Sequence, residues 1–240
     1  MSSASAGGSA AFSSPARPSA VSSLLGVWAL FLAFLLLQVG NGLQRILLPM
    51  RAESEGFGAG SMGLVMGVHF AGYLLGAKGI PRALSSVGHI RVFAALASTA
   101  STAVLINAVL VLPASWAAVY FIGGVCNAGV FVILESWLND RATNETRGSI
   151  LGTYMMIMAG GTAIGQLLLN LGDPAGFELF VLSSVLISLA VVPVTLSAST
   201  AAPIPSRETM PLRELYRTIP AAVVGIMLCS FVQSASTSMA

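Results

Sequence analysis

The chain has 240 residues, 55% of them hydrophobic and only 8% charged, with a formal net charge of +2. A soluble domain carries about 25% charged residues. Water therefore cannot be the solvent for most of this surface, and lipid must take its place. The basic residues are scattered, which leaves no footprint for nucleic acid.

Residues 1–21 are rich in Ser, Ala, Gly and Pro and read as a disordered tail. The apolar run that follows is longer than the roughly 15 residues of a signal-peptide core, so it reads as a retained membrane helix. A helix needs about 20 mostly apolar residues to cross the hydrocarbon. On that measure spans fall at 23–48 and 61–80. The uncharged stretch Val92 to Leu134 is too long for one helix, and "VLPAS" at 111–115 divides it into spans at 92–112 and 115–137. Further spans fall at 148–171 and 177–197. The expected organisation is all-α and integral to the membrane. A six-helix bundle covers 22–197, a Pro- and Ser-containing cytoplasmic linker covers 198–218, and 219–240 is the start of a seventh helix belonging to a second, truncated bundle.

Lysines and arginines set the orientation. Arg17, Lys78, Arg82, Arg91, Arg141, Arg147, Arg207, Arg213 and Arg217 fall on one side, and Arg45 and Arg51 on the other. Nine against two places the N-terminus in the cytoplasm. The stretches 78–91, 138–147 and 198–218 are then cytoplasmic loops.

Polar residues at membrane depth are costly and therefore informative. Gln38, Asn41 and Arg45 in the first span, His69 in the second, Asn127 in the fourth and Gln166 in the fifth are the candidates for contact with a solute. Glycine pairs four residues apart recur at Gly63/Gly67, Gly72/Gly76, Gly148/Gly152 and Gly161/Gly165, a spacing that lets helices approach closely in lipid.

Catalysis is not expected. The chain has two histidines, and it has neither HExxH nor GxSxG. "GYLLGAKG" at 72–79 lacks the spacing and the Ser or Thr of a phosphate loop. Glu135 and Asp140, five residues apart, do not share a helix face. Cys126 and Cys229 show no metal-ligand spacing and no disulfide framework, and neither a metal nor a cofactor is expected. "NET" at 144–146 fits a glycosylation sequon, but it lies on the side read as cytoplasmic.

Six spans, an inside N-terminus and a long central cytoplasmic linker resemble the N-terminal half of a major facilitator superfamily (MFS) transporter. "PRALSSVGHIR" at 81–91 stands where that superfamily has its Gly-x-x-x-Asp-Arg-x-Gly-Arg-Arg signature; Gly88 keeps the second glycine, while Pro81 and Ser85 depart from the pattern. The text is more similar to a poorly characterised bacterial branch, the YcaD-like transporters. It shares their "GHIR" loop, "ESWL" at 135–138, Arg147-Gly148, Tyr154-Met155 and Gly165-Gln166. Tyr120 stands where many proton-coupled members carry an arginine motif, and the fifth span lacks the Gly-Pro motif of drug antiporters.

The resemblance implies a secondary transporter of a small solute in the bacterial inner membrane. Two six-helix bundles would rock around a midplane site, so the missing C-terminal bundle would be the partner. Arg82, Gly88, Arg91 and Glu135 are the expected gating residues, with Glu135 paired to Arg82 or Arg91 across the cytoplasmic face. The alternative is a half-fold that does not transport: a scaffold, a receptor-like module or an inactive remnant.

Overall fold

A computed structural model describes residues 28–196, 217–221, 224–225 and 228–229. The tail 1–21, residues 198–216 of the linker and most of 219–240 lie outside the described residues. The chain divides into two compact units, Met1–Ala202 and Pro203–Ala240. In the second unit the described residues 220–221, 224–225 and 228–229 are helical.

The first unit is a helical bundle. Its elements are α1 (Trp28–Ser54), α2 (Ala59–Val87), α3 (His89–Val109), α4 (Pro113–Arg141), α5 (Arg147–Leu167) with a 3-10 extension to Leu171, α6 (Glu178–Leu189) and the short α7 (Val191–Leu196). Six helical segments, counting α6 and α7 as one, are long and apolar enough to cross a membrane. The described residues contain no strand. With no water to satisfy a bare backbone, the helix is the economical way to close every N–H and C=O within a segment.

Several boundaries differ from the expected spans, for physical reasons. α1 runs past Pro49, and α2 runs past Pro81 to Val87. Proline is tolerated inside membrane helices, where neighbouring groups absorb the lost hydrogen bond. Most of the expected loop 78–91 is therefore helix, and the real connection between α2 and α3 is Gly88 alone. Its φ of 93° lies in the region that favours glycine. Its N–H closes the end of α2 on the Leu84 carbonyl at 3.0 Å, and its own carbonyl accepts from the Val92 N–H at 3.2 Å. The sixth span breaks at Ala190, because Pro193 has no N–H to return to the preceding turn. "VLPAS" behaves as expected: Pro113 opens α4, where its missing N–H costs nothing.

The bundle is built from two glycine-mediated helix pairs, each parallel. On α2, a Cβ at Gly72 would meet the Phe121 carbonyl, and one at Gly76 would come 2.6 Å from the Val125 carbonyl oxygen of α4. Gly124 of α4 answers against the His69 carbonyl. On the other side, Gly42 of α1 packs on the Thr162 backbone of α5, while Gly161 and Gly165 of α5 pack on Gln38 and Val39 of α1. Bare backbone is what lets the axes come this close, and van der Waals contact then replaces the hydrophobic drive that lipid cannot supply. Gly63, Gly67, Gly148 and Gly152, the other two expected pairs, have open space where a Cβ would stand.

α3 and α6 join the pairs through a hydroxyl cluster. Ser101 bonds the Ser184 hydroxyl at 2.7 Å and its carbonyl at 3.1 Å, and Ser188 bonds Ser101 at 2.7 Å. Ser183 donates to the Gly40 carbonyl of α1 at 2.9 Å. The α4–α5 turn is held by a reciprocal pair, in which the Thr143 N–H donates to the Thr146 hydroxyl and the Thr146 N–H to the Thr143 hydroxyl. Beside it, the Glu145 carboxyl is held below its ordinary value by its own backbone N–H and by the Thr143 hydroxyl.

Candidate functional site

α1 and α5, held together by Gly42, Gly161 and Gly165, leave a cavity of about 380 Å³ along their seam. Gln38, Arg45 and Gln166, three of the residues singled out from sequence, line it together with Phe131, Met158, Ala159, Thr162 and Ala163. Gln38 is 4% exposed, and its side chain makes no hydrogen bond among the described residues. Arg45 has no carboxylate within ion-pairing distance among them; the ion pair at the α1–α2 end is Arg51 with Glu55, at 2.8 Å. Thr162 spends its hydroxyl on the Met158 carbonyl of its own helix.

His69 belongs to a neighbouring group. Its Nδ1 lies 3.2 Å from the Tyr120 carbonyl, and its ring sits 5.5 Å from the Tyr120 ring and 5.9 Å from that of Phe70. The Arg45 charge is felt at both His69 and Tyr120. Asn41 and Asn127 are half-buried and are not among the residues lining this cavity.

A second polar group stands nearer the α4–α5 end. The Tyr154 hydroxyl of α5 donates to Glu135 of α4 at 3.2 Å. Tyr154 stacks on Phe34 of α1 with centroids 4.7 Å apart and planes 9° apart, and Phe34 meets Phe131 edge-on at 5.9 Å. Tyr73 of α2 is near enough to feel the Glu135 charge. The expected pairing of Glu135 with Arg82 or Arg91 is not among the ion pairs of the described residues. Arg82 points its guanidinium back along its own helix, to the Lys78 carbonyl at 3.4 Å, and Arg91 is exposed. Tyr73 and Phe34 escaped the reading of the sequence, and Tyr120 and Tyr154 stood out there without their partners, because an aromatic in an apolar helix carries no signal of what it touches.

No group of three or more His, Cys, Asp or Glu able to hold a metal occurs among the described residues.

The chain has relatives among known proteins. It is 31% identical over 145 residues to an uncharacterised MFS-type transporter of Enterobacter sp. strain 638, and 32% identical over 145 residues to the uncharacterised MFS-type transporter YcaD of Escherichia fergusonii. YcaD of Escherichia coli O139:H28 matches at 31% over the same length. Over that segment the chain is similar to these MFS-type transporters. Each match covers 60% of this chain and 38% of the relative, so the chain spans well under half the length of these proteins. No family model and no solved structure matches it.

Two of the YcaD-like motifs meet in space. His89 of "GHIR" stacks on Trp137 of "ESWL", with centroids 5.5 Å apart and planes 29° apart, and both are buried. His89 Nε2 has no partner among the described residues. Gly88, one residue earlier, aims His89 by turning the chain in a single step. Two further marker residues reach the polar groups described above: Tyr154 reaches Glu135, and Gln166 lines the cavity.

Proposed function

We propose that this bundle is one half of a secondary transporter that carries a small solute across the bacterial inner membrane by alternating access, with the N-terminus in the cytoplasm. The observation that carries the proposal is the convergence of Gln38, Arg45 and Gln166 on one cavity, in a chain similar to MFS-type transporters. In lipid, a guanidinium with no carboxylate to pair with is expensive, and such a group persists where it faces a water-filled path or a substrate. A second six-helix bundle would supply the facing wall, and rocking of one bundle against the other would open the cavity to each side in turn.

Asn41, His69 and Asn127 belong to the same solute path in this reading. Arg82, Gly88, Arg91 and Glu135 form its gate at the α4–α5 end. Glu135 changes partner as the gate moves: Tyr154 holds it in the conformation described above, and Arg82 or Arg91 takes it in the other.

The experiment is site-directed labelling. Gln38→Cys, in an otherwise cysteine-free chain in native membranes, should react with a membrane-impermeant maleimide added from either face. Labelling from one face only would reject alternating access and favour a non-transporting half-fold.

A further inference from the structure

The cavity has a direction. On α1, Gln38 and Arg45 are seven residues apart, about 10 Å along the axis at 1.5 Å per residue. On α5, Met158 and Gln166 are eight residues apart, about 12 Å on the same measure. α1 and α5 run parallel, with Gly161 against Gln38 and Gly165 against Val39, so Gln166 stands at the Arg45 end and Met158 at the other. The end toward α4 is thus apolar, lined by Phe131 and Met158. The opposite end carries a guanidinium and an amide, and Gln38 stands between, 96% buried by its 4% exposure, with its amide unbonded among the described residues. No acidic side chain lines the cavity. The one charge that lines it is positive.

We propose that the cavity takes an amphipathic organic monoanion, with its carboxylate on Arg45 and an apolar body about 10 Å long lying toward Phe131 and Met158. This rests on the reading of the cavity as the solute path and names the class of solute. The guanidinium presents a planar fork of N–H donors that matches a carboxylate. Gln166 supplies a further donor beside it, and Gln38 can bond a polar atom along the body. A cationic solute would meet Arg45 with no carboxylate to receive it. A small dianion would leave the apolar end empty.

The test uses the purified chain in phosphatidylcholine nanodiscs, with 3-phenylpropionate, its neutral isostere 3-phenylpropionamide, and acetate as the head without a body. Binding is read by saturation-transfer NMR titration, which detects weak ligands. The carboxylate should bind saturably, and the amide about tenfold or more weakly, the scale of a charge-assisted hydrogen bond. Acetate should bind more weakly than 3-phenylpropionate. Arg45→Gln should abolish the preference for carboxylate over amide. Arg45→Lys should restore most of it, which separates lost charge from lost fold. Equal binding of acid and amide, a preference that survives Arg45→Gln, or no binding by the folded chain would overturn the proposal. An anionic lipid head offers the same chemistry, so the titration is repeated in phosphatidylglycerol discs. Persistence there supports a soluble solute, and loss of binding there overturns that assignment in favour of lipid. The maleimide experiment stands apart: two-sided labelling without carboxylate binding rejects only the solute class, and carboxylate binding with one-sided labelling rejects only alternating access.

Discussion

Tyr154 joins three helices through two different kinds of contact. Its ring stacks on Phe34 of α1, and its hydroxyl reaches Glu135 of α4. The two are separable. Tyr154→Phe keeps the ring and should cost about 1 kcal/mol, the scale of one interhelical hydrogen bond. Tyr154→Ala also loses the stack and should cost about 3 kcal/mol or more. Unfolding by SDS in mixed micelles measures both. A cycle with Glu135→Gln should return a coupling of a few tenths to about 1 kcal/mol; a coupling of zero would mean the bond contributes nothing. Residues of this kind mark where the sequence stops being legible. Gln38, Arg45 and Gln166 stand out because a polar group in lipid is conspicuous. Tyr73 and Phe34 do not, and Tyr154 stood out only as a shared motif without its partner, because an aromatic suits lipid, core and site alike. The partner of Glu135 was equally hidden, since spacing along the chain does not say which helices touch.

At the scale of the element, α1 to α6 were legible as apolar stretches of membrane length, and their ends were not. Hydropathy fades where charges begin, as at Arg51 and Glu53, yet the helix continues into the polar layer because its hydrogen-bond ladder does not need lipid. Proline was read as a divider only in "VLPAS", where Pro113 does open a helix, whereas α1 and α2 pass through Pro49 and Pro81. The glycine pairs were legible as small-residue spacings without their partners. They now divide into two classes that substitution distinguishes. Gly72→Ala and Gly165→Ala push a methyl group into a facing backbone carbonyl, and each should destabilise the bundle by about 1–3 kcal/mol. Gly63→Ala and Gly148→Ala enter open space and should stay within about 0.5 kcal/mol of the parent, apart from a small gain in helix propensity. The same micelle unfolding assay separates the classes. If all four behaved alike, the packing of α1 on α5 and of α2 on α4 would be wrong.

At the scale of the molecule, the distribution of charge argues for one orientation. Lys78, Arg82, Arg91, Arg141 and Arg147 gather where α2 meets α3 and α4 meets α5, while Arg51 stands at the opposite end. Positive charge is retained on the cytoplasmic side. In intact cells, Asp173→Cys at the α5–α6 connection should react with an impermeant maleimide. Asn144→Cys in the α4–α5 turn should react only after permeabilisation. The reverse pattern would invert the bundle. The overall class was readable from composition alone, since 8% charge rules out a water-covered surface. Which helices are neighbours was not readable, because the pairing joins segments far apart in the chain.

That pairing sets a problem for the ribosome. α1 finds its main partners in α5 and α6, and Gly42 must wait for Thr162, 120 residues later in the chain. At about 5–20 residues per second, that is a delay on the order of ten seconds. Throughout it, Gln38 and Arg45 lack the α5 wall that they share in the folded bundle. Until α5 emerges, the polar side chains of α1 have only part of their cavity around them, and polar groups at membrane depth are costly.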